Sequence, residues 1–423
     1  MGRAQTWAVL AIATLMAACD RSDVRGPAED PAAAAAGSAT QRDPSQQGTS
    51  AQGIAPVVAA KPAPPPSPTD AGACPERDAD DVGVLVSPAR PVAGAPLVVL
   101  AATLEDESML ALRIEQNDAP VAASIVHERG VPAATIARIE SAPKGTLKVI
   151  VGRSGTGLRC ATVKVEAGGK SRVRTPAPDA VWPIDRKWSG AEEALYSAWV
   201  RALFHAPRGE ELARKALHEV TSDPARNLLH DHLGWDEDVA DTKVGLHLKP
   251  DCADTPYFLR AYFAWKRGLP FGFRGCSRGA PGKAPRCGKL RTVASAPDGS
   301  DGKKPGELGV VQKYFRRTLA WGVHTGNGRT AFGDDATDWY PVALSRRGLR
   351  PGTIYADPYG HVFVLVELMD PDGAEPGVLY AIDGQPDGSI TRKRFWEGNF
   401  LWNPDPGLGG SGFKAARPID VVG

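Results

Sequence analysis

The sequence predicts a β-sandwich followed by an α+β domain, the pair carried on a disordered tether. Three observations predict it. Residues 20–73 are dominated by Ala, Pro, Gly, Ser and Gln, with almost no large apolar residue, and offer nothing to build a core. Residues 74–175 contain short runs of alternating apolar and polar residues separated by turn signals. Residues 176–423 change to helical periodicity and later to a strongly apolar hairpin.

The chain begins with an export pattern. Arg3 precedes an apolar run from Trp7 to Ala18, too short to span a bilayer, and Cys19 follows. Residues 1–19 therefore read as a signal peptide. Ala17-Ala18-Cys19 resembles a bacterial lipoprotein cleavage box, with Met16 in place of the usual Leu. That resemblance implies lipid on Cys19, a membrane-anchored protein of the cell envelope, and a tether that holds the folded part off the membrane. With 50 Lys+Arg against 49 Asp+Glu the 423-residue chain carries no basic excess, which argues against nucleic acid as a partner.

In the sandwich, strands are expected at Val82–Val86, Pro96–Ala102, Ala111–Glu115, Thr146–Val151 and Cys160–Val165. Gly152 to Gly157 lacks the Lys-Ser/Thr ending of a phosphate loop and reads as a hairpin connection. The pattern resembles Ig-like modules of bacterial surface proteins.

Helices are expected next. Ser189 and Glu192 form a capping box ahead of Leu195, Trp199, Leu203 and Phe204. A second helix is expected from Glu210 to Val220, and a later one from Glu307 to Ala320. The acids Asp236, Glu237 and Asp238, near His230 and His232, match no strong metal spacing and read as a solvated polar face. No metal or cofactor is expected. Between them, Tyr257 to Trp265 is apolar almost all round, as only a central helix tolerates, and Gly268 and Pro270 end it. Cys252 stands at its mouth. With Pro256 inside the first turn, Thr255 is the expected N-cap.

Export places the six cysteines in an oxidising compartment. If Cys19 carries lipid the remaining number is odd, so at least one thiol is left unpaired within the chain. Sequence does not fix the pairing. The layout suggests Cys74 with Cys160 and Cys276 with Cys287, which leaves Cys252 over.

The hairpin is the sharpest feature. Asp357-Pro358-Tyr359-Gly360 suits a type I turn, His361 opens the strand to Leu368, and Asp370 to Gly373 turns the chain back into Val378–Asp383. A turn centred on Asp372 sets His361 opposite Asp383, on one face and within hydrogen-bonding reach. His324 is a reserve base, and Glu367 shares the His361 face in this register. Beyond it, Trp396, Phe400 and Trp402 occupy alternate positions of an expected strand.

Cys252, His361 and Asp383, in that order on helix, strand and next strand, resemble the papain-like cysteine hydrolase superfamily. Asp251-Cys252, Leu259-Arg260 and Gly268-Leu269-Pro270 resemble transglutaminase-like members. Leu349-Arg350-Pro351-Gly352 with Gly360-His361-Val362 resembles NlpC-type cell-wall peptidases. The resemblance covers Val244 to Arg394. It implies a papain-like (transglutaminase-like) α+β fold and a Cys252 nucleophile, with His361 as base and Asp383 orienting it. Peptide or amide bonds are then the target, with peptidoglycan-like peptides a candidate substrate. The alternative is a non-catalytic surface lipoprotein in which the same fold serves as a binding module.

Overall fold

The computed structural model describes residues 64–105, 108–168, 180–280, 282–295, 308–358, 360–373, 375–395 and 410–420. The signal peptide, Cys19, most of the expected tether and the Trp396–Trp402 strand lie outside the described residues.

The N-terminal part is a sandwich of two four-stranded antiparallel sheets. One runs in the order β1 (Val82–Ser87), β2 (Leu97–Thr103), β6 (Ala133–Ile139), β5 (Ser124–Glu128). The other runs β4 (Ala119–Pro120), β3 (Ala111–Gln116), β7 (Gly145–Arg153), β8 (Thr156–Val165). Val82, Val99, Leu112, Leu147 and Val149 interdigitate between them. The expected 152–157 connection is the β7–β8 turn, closed by the Arg153–Thr156 pair. Strands β5 and β6 were not expected. β6 reads AATIARI, and its small residues hide the alternation that larger side chains display.

The expected tether is shortened. Pro68–Ala71 forms a helical turn whose Ala71 is buried against Ala111 and Ile150. Arg113 donates to the Gly72 carbonyl at 2.9 Å, and the Cys74–Cys160 disulfide anchors the chain beyond. Local bonds thus order a segment whose composition alone reads as coil.

Helix α1 (Gly190–Phe204) joins the two parts. Ser189 caps it, its Oγ accepting the Glu192 amide at 3.2 Å. A Cβ on Gly83 of β1 would fall 2.6 Å from Ala191 O and from Leu195 Cγ, so only glycine admits the helix this close. Leu85, Leu100 and Ile136 on the sandwich's outer face consequently share one core with Leu195, Trp199 and Phe263.

The C-terminal part is built on a seven-stranded antiparallel sheet in the order β12-β17-β13-β14-β15-β16-β9. Its strands are β9 (Ala213–Arg214), β12 (Trp339–Pro341), β13 (Ile354–Ala356), β14 (Val362–Met369), β15 (Val378–Gly384), β16 (Ile390–Arg394) and β17 (Gly412–Ala416). Val362, Val364, Tyr380 and Ile382 face α3 (Asp254–Arg267) and its Phe258, Leu259 and Tyr262. Tyr355, Phe363, Leu365, Ala381 and Phe395 form a second apolar layer on the other face. β10 (Gly272–Cys276) and β11 (Cys287–Thr292) make a separate hairpin, closed by the Cys276–Cys287 disulfide.

This architecture overturns the expected papain-like α+β fold. Among the described residues strand accounts for 32% and helix for 18%, with the strands in several antiparallel sheets. The helical texture after Trp182 overstated the helices. Of the stretch expected to be helical from Glu210 to Val220, Ala213–Arg214 is a strand and only Leu217–Thr221 (α2) is helical. The Glu307–Ala320 expectation resolves into α4 (Leu308–Lys313) and a π-helical segment at Tyr314–Leu319. Among the described residues no helix is long and apolar enough to cross a membrane.

The Cys276–Cys287 bond spans 11 positions. Chain entropy gives such a loop about 3 kcal/mol. Replacing both cysteines by serine should lower the unfolding free energy by about that amount in a urea titration. A change under about 1 kcal/mol would mean that the β10–β11 ladder holds itself closed.

Candidate functional site

Four cysteines pair as the layout suggested, and Cys252 belongs to neither disulfide. It is fully buried, at 0% exposure. Its position is set by Asp251. The Asp251 Oδ1 accepts the amides of Ala253 at 2.8 Å and Asp254 at 2.9 Å, and the Asp251 carbonyl accepts Thr255 N at 3.0 Å and Thr255 Oγ1 at 2.6 Å. Asp251 therefore caps the helix start, and the expectation of Thr255 as N-cap is corrected. α3 opens at Asp254, two residues after Cys252, with Pro256 in its first turn, where no amide is required.

His361 and Asp383 meet. Their Nε2 and Oδ1 atoms are hydrogen-bonded. The register that brings them together differs from the expected one. Asp383 pairs with Phe363 rather than His361, and His361 lies just ahead of β14. The difference arises at the turn, where Met369–Val378 already stands three positions off the expected register, and a bulge between Leu365 and Glu367 takes back one of the three. Nearer the turn the partner numbers follow Met369–Val378 and Glu367–Tyr380, a register that extended unchanged would set Val364 opposite Asp383. The extra residue restores Phe363, and with it the His361 face. It also moves Glu367 to the opposite face, beside Tyr380, where it binds His205 at 2.9 Å and Arg392 at 3.0 Å. Glu367 is thus not on the His361 face as expected.

The His361 ring packs edge-on against Phe363 with centroids 4.6 Å apart. Its side chain is 29% exposed, that of Asp383 only 2%. Two further groups hold the other Asp383 oxygen, Gln385 Nε2 and Lys393 Nζ, both at 2.5 Å. Burial raises the Asp383 carboxyl, but hydrogen bonding and charge from His361, then Lys393, outweigh it and hold the group below the ordinary carboxylate range. Lys393 was not anticipated. It stands on β16 opposite Ala381, one pleat from Asp383, and a paired-strand reading of 390–394 would have placed it there.

The thiol's turn approaches the same end of the sheet. A Cβ on Gly384, the last residue of β15, would lie 2.7 Å from the Asp251 carbonyl oxygen and collide with Thr255 Oγ1. The start of α3, the start of β14 and the end of β15 therefore converge. They do so from two sides: Gly384 alternates with Asp383, so the turn rests on the face of Val364 and Ile382 while His361 and Asp383 lie on the face of Phe363. His324, the reserve base, is structural. Its Nδ1 accepts Gly326 N at 3.0 Å and its Nε2 bonds the Cys276 carbonyl at 2.8 Å.

Of the acids read as a solvated face, Asp236 is exposed but Glu237 and Asp238 are buried. Glu237 and Asp238 flank Lys266 Nζ, and Asp231 lies beside them. Lys266 fills the position a cation would take.

No protein-family model and no curated protein matches the chain. Among solved structures, one similar to part of it is the crystal structure of the Dscam1 Ig7 domain, isoform 5. It is 15% identical over 21% of this chain and 99% of that one, with a TM-score of 0.16.

Proposed function

We propose that the C-terminal part is a thiol-dependent hydrolase or acyltransferase acting on peptide or amide bonds, held at the cell envelope by lipid on Cys19. The observation that carries this reading is the His361–Asp383 pair, locked by Lys393 at the sheet end against which the Cys252 turn rests. Cys252 attacks an acyl carbon, its proton passes to His361, and the leaving amine takes that proton as the acyl-enzyme forms. Water or a second amine then releases the acyl group. Asp383 fixes the imidazole through Nε2, so proton transfer uses Nδ1. The absence of a side chain at Gly384 lets the thiol's turn reach the strand end where the two faces meet. Two disulfides fit an oxidising compartment. Cell-wall peptides are the substrate class that this location favours.

A second reading, a non-catalytic surface lipoprotein that binds its partner, is favoured by the complete burial of Cys252. A thiol-directed electrophile at neutral pH separates the two. Under the first reading Cys252 is labelled, and His361→Ala slows the labelling by about a hundred-fold or more. Absence of labelling, or labelling indifferent to His361, leaves the second reading.

A further inference from the structure

β1 and β8 are outer strands, each paired on one side only, with β2 and with β7. The other side of β8 is used at both ends of one stretch. Cys160 N donates to Asp78 Oδ1 at 3.0 Å. Glu166 N donates to the Pro91 carbonyl at 3.0 Å, and the Glu166 carbonyl accepts Ala93 N at 2.8 Å. Main-chain groups alternate in direction along a strand, so those of Thr162 and Lys164 point the same way as those of Cys160 and Glu166. They have no hydrogen-bond partner among the described residues.

The β1 edge repeats the pattern. Val82 N donates to the Ala79 carbonyl at 3.4 Å, and the Val82 carbonyl accepts Arg159 Nη1 at 2.9 Å. Val84 and Val86 therefore also turn their amides and carbonyls outward, again without partners among the described residues. All four residues line one cleft of about 640 Å³, a volume typical of ligand sites. Leu233, Trp235 and Trp265 of the C-terminal part supply a further apolar wall. That wall is fixed to the end of β1, where Ala89 N donates to the His232 carbonyl at 2.9 Å and His232 Nδ1 bonds Ser87 Oγ at 3.1 Å.

Unpaired main-chain groups along a strand edge are a template for another strand. An extended peptide presents amides and carbonyls at the same two-residue spacing, which other ligand classes do not. The bonds to Asp78 and to Pro91 and Ala93 close the β8 edge on either side. They leave a window of about 20 Å at about 3.3 Å per residue, the reach of about five extended residues.

We infer that this cleft binds an extended peptide as an added strand on β8, its main chain bonded to Thr162 and Lys164, with Val84, Val86 and Trp235 walling it in. The inference is independent of the thiol chemistry, since it uses neither Cys252 nor His361.

Isothermal titration of the full chain with acetylated, amidated pentapeptides tests it. The peptides carry valine at the second and fourth positions and each proteinogenic residue in turn at the third. At least one binds with a Kd of about 1 mM or tighter. Two N-methylated versions of that peptide then separate main chain from side chains. One is methylated at the odd positions and one at the even positions. Only one of these sets faces β8, so one version binds at least about ten-fold more weakly and the other is spared. Thr162→Pro and Lys164→Pro each remove an outward amide that the β7–β8 ladder does not use, and proline is tolerated there. Each weakens binding at least about ten-fold with the urea midpoint unchanged, whereas Thr162→Ala binds as the natural chain does. No binding by any of the peptides, or equal binding by the parent and both methylated versions, overturns the assignment. Natural affinity in both folded proline variants overturns it too. If the proline variants do not fold, the methylated peptides on the natural chain decide it.

Discussion

Replacing Lys414 by methionine should stabilise the protein at neutral pH by several kcal/mol, and the gain should shrink as pH rises. Lys414 sits on β17 beside Ile354 with 1% of its surface exposed, and its Nζ donates to the Thr330 carbonyl at 2.6 Å. No carboxylate pairs with it among the described residues. Burial first, and Arg417 second, lower its pKa to about 7. The unfolded chain holds that proton up to about 10.4. Between these values the unfolded state binds more protons than the native one, so this group makes stability rise with pH. At pH 7 the native chain bears a penalty of roughly 4 kcal/mol, and at pH 9 roughly 2 kcal/mol. Lys414→Met removes the penalty and sacrifices one hydrogen bond, worth about 1 kcal/mol. Urea titrations of both proteins should show an advantage for the variant that falls by about 2 kcal/mol from pH 7 to pH 9. An advantage independent of pH, or a loss throughout, would mean that Lys414 stays protonated in the fold.

Lys414 also marks where sequence reading stops. Gly412–Ala416 contains a lysine at an inward position, so its pattern does not announce a strand, and β17 was not expected. The hairpin β14–β15 was legible because its apolar runs are long and Asp357-Pro358 and Asp372-Gly373 are turn sequences. Its pairing was legible only to within two residues. A bulge adds a residue without any compositional mark, and here it decides which face Glu367 takes and restores His361 to Asp383. Disulfide partners followed from the segment layout because each pair closes a local unit. The helix expected from Glu210 to Val220 failed for a different reason. Apolar residues at helical spacing in 210–220 also suit a short strand and a turn, and pairing with β16 selects the strand at Ala213–Arg214.

The acids beside Lys266 were misread for a reason that yields the second large effect. Charge clusters in sequence usually mark solvent, but Lys266, Glu237 and Asp238 side chains are all 0% exposed. Lys266 Nζ bonds Glu237 and, at 2.6 Å, Asp238. Tyr262 OH donates to Asp238 at 2.6 Å, Asn227 Nδ2 donates to Tyr262 OH at 2.9 Å, and Trp199 Nε1 donates to Asn227 at 2.9 Å. The network thus ties α3 to α1 through the segment between them. Two carboxylates share one cation, and they respond oppositely. Burial raises both, but Lys266 and the amides of Leu233 and Trp235 bring Glu237 below its ordinary value, while Asp238 stays above. Lys266→Met strands two buried anions, which costs about 3–5 kcal/mol. Without the ammonium both carboxyls titrate higher than in the unfolded chain. The native state then binds more protons, and stability falls as pH rises through their range. The loss relative to the natural protein should therefore be larger at pH 8 than at pH 5, by more than about 1 kcal/mol. Denaturant midpoints at the two pH values measure it. A loss equal at both would place the contribution of Lys266 in packing against Tyr262 and Trp265, whose rings lie 5.1 Å from its Nζ, rather than in its charge.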